Sequence, residues 1–223
     1  MTARGADGPD PHQSFSTTCR RCARLARHLA HIRAQYAGYH ARPVAPFGPG
    51  RARILVVGLA PGKHGANRTG RPFTGDYAGI LLYETLHRYG LASQAMAIDA
   101  QDAMQLVDCR VTNAVKCLPP ENKPTADEVR ICNGYLRDEI AALPDRAAIL
   151  ALGTVAHRAV LMALGLRVAA YPFAHGQRHA LRASLALYDS YHCSRYNTQT
   201  RRLTREMFRG VVARIVAELE GAR

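Results

Sequence analysis

Acidic residues are scarce in this chain. Seventeen Asp and Glu stand against 30 Lys and Arg, a net charge of +13. Lysine is nearly absent as well, present only as Lys63, Lys116 and Lys123, so the positive charge is almost all arginine. A folded chain this basic seeks polyanions, either nucleic acid or an anionic membrane. The guanidinium fork suits bidentate phosphate contacts, although an arginine-biased coding genome yields the same count. No apolar run approaches the roughly 18 residues of a membrane-spanning helix. Met1–Asp10 also lacks the apolar core of a secretory signal. The expectation is a soluble, cytoplasmic protein with no membrane partner. The hydrophobic share of 48% excludes a disordered or collagen-like chain, and 223 residues suit one α/β domain. In a reducing compartment the six cysteines read as metal ligands or core residues, not disulfides.

Residues 1–16 carry Gly, Pro, Asp and Ser without periodicity and predict a disordered tail, with a single domain over 17–223. A basic helical stretch spans Cys19 to Gln35. Ile54-Leu-Val-Val-Gly-Leu-Ala60 is a short continuous apolar run, typical of a strand buried on both faces of a parallel sheet. Further strands are expected at 110–115, 148–153 and 185–191. Helices are expected from Asp76 or Tyr77 to Tyr89, from Thr125 to Leu143, from Thr154 to Leu164 and from Thr204 to Glu220. Thr125 with Glu128 forms a capping box. Strand and helix alternate four times, which demands a parallel sheet with helices on both faces. A site in such a sheet lies beyond the carboxyl ends of the strands. The three odd polar loops, 61–76, 116–125 and 192–202, fall there.

Glycines after the first strand, in Gly58-Leu-Ala-Pro-Gly62, let backbone N–H groups approach a phosphate or base. Their spacing fits neither the dinucleotide fingerprint nor the Walker pattern, and no Gly-Lys-Ser/Thr is present. The loop continues through His64-Gly-Ala-Asn-Arg-Thr-Gly-Arg71 to Phe73-Thr-Gly-Asp76. The second loop extends Val111-Thr-Asn-Ala-Val115 into Lys116-Cys-Leu-Pro-Pro-Glu-Asn-Lys-Pro-Thr125. The third reads Tyr191-His-Cys-Ser-Arg-Tyr-Asn-Thr-Gln-Thr200.

Together, from about Cys19 to the C-terminus, these motifs resemble the uracil-DNA glycosylases, most closely the thermophile-type family five enzymes that carry an iron–sulfur cluster. Two departures stand out: Cys193 replaces the usual proline, and Arg201 stands where the family usually has glycine. The resemblance implies a three-layer α/β/α fold around a four-stranded parallel sheet. It implies hydrolysis of the N-glycosidic bond of uracil in DNA, leaving an abasic site, and a monomer is expected. Leu59 and Ala60 stand where several other glycosylase families place a polar residue. A less polar pocket rejects fewer bases, so hypoxanthine or other deaminated bases are expected substrates too.

Such an enzyme extracts its nucleotide from the stack into a pocket that stacks the base and reads its edge. It then needs donors toward the departing base and a carboxylate or oriented water near the sugar. Phe73 suits the stacking platform, or else anchors its loop in the core. Asp76 matches the family's carboxylate, and it also suits the N-cap of the following helix. His192 would donate to the departing carbonyl oxygen. Asn113 and Asn122 can read the base edge, since an amide offers donor and acceptor; Asn122 joins Asp76 and His192 in the expected catalytic set. Gly58, Ala60 and Gly62 would complete the base pocket. Arg195, Arg201 and Arg202 suit phosphate clamping, with Arg205 beside them. Tyr196 suits the gap left by the flipped base. Asn197 would touch DNA or hold its loop, and His64 and Asn67 read as scaffolding.

Four cysteines form the set Cys19, Cys22, Cys117 and Cys132, which suits a [4Fe–4S] cluster or a structural zinc. Spacing does not separate these, and the resemblance favours the cluster. Cys109 reads as core packing, and Cys193 is not assigned as a ligand. Two other functions remain open: a non-catalytic zinc-stabilised nucleic-acid-binding module, and a nucleotide-handling α/β enzyme.

Overall fold

The computed structural model describes residues 15–182 and 184–221. Most of the expected tail, residues 1–14, lies outside the described residues. Its last two positions do not behave as a tail. Phe15 packs edge-on against Tyr135, with ring centroids 5.5 Å apart, and the Ser16 carbonyl accepts from the Cys19 amide.

Five strands form one sheet: β1 (Ile54–Gly58), β2 (Cys109–Asn113), β3 (Ala147–Leu152), β4 (Arg178–Arg182) and β5 (Leu185–Ser190), in the order β2-β1-β3-β5-β4. Strands β1, β2, β3 and β5 are mutually parallel and correspond to the four expected runs. The expectation of a four-stranded, wholly parallel sheet is corrected by β4, which pairs antiparallel with β5 at the edge. Arg178-His-Ala-Leu-Arg182 has no apolar run to announce a strand, because an edge strand with charged residues faces solvent on one side.

Seven α-helices accompany the sheet among the described residues: α1 (Ala23–Gln35), α2 (Ala66–Thr69), α3 (Tyr77–Arg88), α4 (Ala126–Ala141), α5 (Thr154–Ala163), α6 (Arg195–Gln199) and α7 (Arg205–Glu220). Alternate side chains of β1 point to opposite faces. Ile54 and Val56 pack with Leu82 and Leu86 of α3 and with Phe208 and Val212 of α7. Leu55 and Val57 pack with Leu136 of α4, Val160 of α5 and Leu25 of α1. The result is three layers, helices on both faces of the sheet. Helix α1 begins at Ala23, so Cys19 and Cys22 precede it and are not part of it.

Local chemistry sets the helix starts. Thr125 accepts from the Glu128 amide while Glu128 reaches back to the Thr125 amide, completing the capping box. Thr204 caps α7 by accepting from the Met207 amide at 3.2 Å.

One buried polar cluster holds the edge of the sheet. Asp189 on β5 is wholly buried. Its Oδ1 lies 2.8 Å from His157 Nδ1 on α5, and its Oδ2 lies 3.2 Å from His179 Nε2 on β4. The other nitrogen of His157 meets the Tyr171 carbonyl at 2.8 Å. Three elements are thereby tied to one carboxylate.

Candidate active site

The carboxyl ends of β1, β2 and β5 open on a cavity of about 350 Å³. All three polar loops line it. Leu59, Ala60, Gly62, Ala66, Phe73 and Asp76 come from the loop after β1, Asn113 and Asn122 from β2 and its loop, and His192 and Ser194 from the loop after β5. Sequence reasoning brought most of these together, but it passed over Ala66 and Ser194, and also Ala78 at the start of α3, which lines the cavity too.

Gly58 lies beneath the cavity, and its lack of a side chain decides the packing. A Cβ there would stand 2.5 Å from both Asn113 Oδ1 and Phe73 Cζ. Phe73 is only 5% exposed, and it lies roughly parallel to the His192 ring with centroids 5.9 Å apart. Its φ of 54° is left-handed, a costly conformation for an aromatic residue that surrounding structure must enforce. Asn113 is buried, and its Oδ1 has no hydrogen-bond partner among the described residues. A buried amide oxygen beside a cavity can accept a hydrogen bond from a group held there. Asn122 lies at the exposed rim, in a turn where φ of 57° suits asparagine.

Asp76 does two things at once. Its Oδ1 accepts from the Gly79 amide at 3.0 Å and caps α3. Its Oδ2 faces the glycine loop, since a Cβ on Gly65 would stand 2.2 Å from that atom and one on Gly62 3.3 Å away. Burial holds this carboxyl above its ordinary value of 3.8, opposed by the Gly79 and Ala78 amides. Burial also pushes His192 down to about 4, so its imidazole is neutral at physiological pH. Asn197 spends its amide on the loop, donating from Nδ2 to the His192 carbonyl at 2.8 Å.

The basic residues divide. Arg195, Tyr196, Arg201 and Arg202 are all exposed, Tyr196 by 70%. The Arg195 guanidinium lies over the Tyr77 ring and that of Arg202 over Tyr191, at 5.2 and 4.6 Å from the centroids. Arg201 takes φ of 57°, the conformation glycine adopts freely. Arg205 does not belong to this free set. It pairs with Glu84, which also holds Arg209. His64 Nδ1 lies 2.7 Å from the Tyr39 hydroxyl, and buried Asn67 donates from Nδ2 to the Lys63 carbonyl at 3.4 Å.

Cys19, Cys22, Cys117 and Cys132 line one cleft with Leu25, Pro43 and Tyr135, away from the cavity. Burial, then the neighbouring Cys132, Glu128 and Cys19, pushes the Cys22 thiol up to about 11. Burial raises Cys117 and Cys132 as well. Cys132 Sγ accepts from the Lys116 amide at 3.3 Å. Soft thiol donors from three chain segments fit a metal–sulfur centre. Sequence reasoning missed the neighbouring anchor: buried Lys116 pairs with Glu139 of α4 and tethers the second loop between Asn113 and Cys117. Cys109 and Cys193 are fully buried core residues.

A family model described as the uracil DNA glycosylase superfamily matches residues 45–216. The type-5 uracil-DNA glycosylase of Thermus thermophilus is 47% identical over 197 residues, which cover 86% of this chain and 90% of that one. That of Pyrobaculum aerophilum is 42% identical, covering 90% of this chain and 88% of its own. That of Mycobacterium leprae is 41% identical, covering 93% and 94%. The matched span begins before β1 and ends within α7, taking in every loop that lines the cavity. This chain therefore belongs to the uracil-DNA glycosylase superfamily, beside its type-5 members.

Proposed function

We propose that this chain is a DNA-repair glycosylase that hydrolyses the N-glycosidic bond of uracil in DNA and leaves an abasic site. The observation that carries the reading is the convergence of Phe73, Asn113, Asp76 and His192 on one cavity. A flipped base stacks on Phe73 and offers an N–H to the unpartnered Asn113 Oδ1. As the bond breaks, its electron pair leaves on the base and the sugar becomes cationic at its anomeric carbon. The Asp76 carboxylate stabilises that cation and takes a proton from the incoming water. Neutral His192 donates to the base oxygen where negative charge develops. Asn122 closes the rim over the base, and Arg195, Arg201 and Arg202 hold backbone phosphates with Tyr196 at the vacated stack.

The test is incubation with a uracil-containing duplex, followed by alkaline cleavage of abasic sites. Strand scission at uracil, and none in a thymine control, supports the reading; intact strands with stoichiometric DNA binding favour a non-catalytic module. The same assay on hypoxanthine addresses breadth. Leu59 and Ala60 line the cavity without a polar side chain to exclude it, so excision at hypoxanthine is expected.

The pH dependence follows from Asp76. Its ionised form is the active one and burial raises its pKa, so activity is lost as pH falls through a value above the ordinary 3.8. Single-turnover rates should therefore be flat through the neutral range, with an acid limb displaced upward. An acid limb at or below 3.8 would oppose this role.

The four cysteines support a [4Fe–4S] cluster held by Cys19, Cys22, Cys117 and Cys132. Its role is structural, since base hydrolysis moves no electrons. It ties the start of α1 to α4 and to the loop bearing Asn122. Anaerobically purified protein should be yellow-brown with about four irons per chain, by the cluster's own formula. Colourless protein with stoichiometric zinc would replace the cluster by a zinc site.

A further inference from the structure

We propose that a groove along α1, separate from the base cavity, grips the phosphodiester backbone of the same DNA at a distance from the excised nucleotide. The identity of its ligand rests on the glycosylase reading. Between Asp10 and Asp76 the chain has no acidic residue in 65 positions, yet this stretch holds ten arginines and one lysine, +11 of the net +13. Acidic partners from elsewhere neutralise some of them: Glu128 pairs with Arg24, Asp108 with Arg53 and Asp102 with Arg71. Arg20, Arg27, Arg33 and Arg42 have no acidic partner among the described residues, and all four are exposed.

These four converge. Together with Thr17, Thr18, Leu29 and Pro43 they line a groove of about 450 Å³. Arg33 donates to the Ala41 carbonyl at 2.7 Å, which fixes its guanidinium on the wall. Four arginines lining one concavity focus positive potential into it. A solvated basic face would spread such charges over a convex surface. The guanidinium fork matches phosphate oxygens.

The segment that leads into Arg42 and Pro43 of the groove is tied to the loop that lines the base cavity. His40 and Ala41 donate backbone hydrogen bonds to the Arg68 and Asn67 carbonyls, each at 2.9 Å, and neighbouring Ala66 lines the cavity. At the near end of α1, Tyr36 stacks on Tyr39 at 4.6 Å and carries Lys63 over its ring at 4.9 Å. A helix of 13 residues extends about 20 Å. That is the reach of on the order of six nucleotides along one strand.

The experiment pairs Arg27→Ala with Arg42→Ala and measures affinity for an undamaged duplex as salt is varied. The duplex is long enough to span α1. The slope of log K against log salt should flatten by about 0.9 for each phosphate that the variant no longer neutralises. Arg158→Ala removes an exposed charge from α5 outside both cavities and should leave the slope unchanged. Uracil excision at saturation from a short oligonucleotide that ends before the groove should also be unchanged in the double variant. An unaltered slope, an equal loss with Arg158→Ala, or an equal loss of affinity for the short oligonucleotide overturns the groove. Since undamaged DNA is the probe, a flattened slope in the double variant beside a wild-type protein that fails to cut uracil overturns the glycosylase reading and leaves the groove standing.

Discussion

Asp76→Asn should lower the single-turnover rate of uracil excision by a factor on the order of 100 or more, the usual scale for one electrostatic or general-base group. The substitution separates the two tasks that this residue combines. Asparagine caps helices about as well as aspartate, so the bond to the Gly79 amide and the start of α3 survive. The charge facing Gly62 and Gly65 disappears. Thermal stability should hold or rise, because a buried carboxylate whose pKa is raised costs folding free energy when ionised and a neutral amide does not. DNA affinity should also hold or improve, since a negative charge near phosphates has gone. Rapid-quench excision, a melting curve and a binding isotherm on one preparation check all three. A variant that melts normally and cuts at the wild-type rate would reduce Asp76 to a helix cap and move the chemistry to His192 and the asparagines.

The second large effect falls on stability. Asp189→Ala should destabilise the fold by about 3–5 kcal/mol, the scale for removing one partner of a buried charged network. For a chain of this size that corresponds to a fall in Tm on the order of 10 °C. The physical cause is the set of partners left behind. His157 Nδ1 and His179 Nε2 lose their acceptor inside the protein, and the side-chain link through which β5 joins β4 to α5 is lost while the backbone ladder remains. Calorimetry of the variant beside the wild type measures it. A change of only a degree or two would mean that the three side chains contribute little beyond their packing.

These two residues mark the limits of what the chain states openly. Asp76 was legible because capping is local: an acidic residue directly before an apolar, helix-forming stretch has a recognisable signature, and the surrounding motif added its chemistry. Asp189 was not. It sits inside an apolar strand, and its meaning depends on His157 and His179, 32 and 10 residues away. Strand β4 was hidden for a related reason, since its residues are recruited by an exposed edge of β5 and carry no periodicity of their own.

The sequence by itself determined the four buried parallel strands, the capped helices between them and the three polar loops beyond their ends. Burial on both faces requires continuous apolar runs, and caps and prolines act within a few residues. Tertiary structure alone decided which charges are spent and which are free. Arg205 is taken up by Glu84, 121 positions away, and Arg24 by Glu128, 104 positions away, while Arg27 and Arg42 are left facing a groove. It also decided that Gly58 makes room for Phe73 beside an unpartnered Asn113 oxygen. Pairings of this kind depend on distances between separate segments, and those exist only once the sheet has brought its strand ends together.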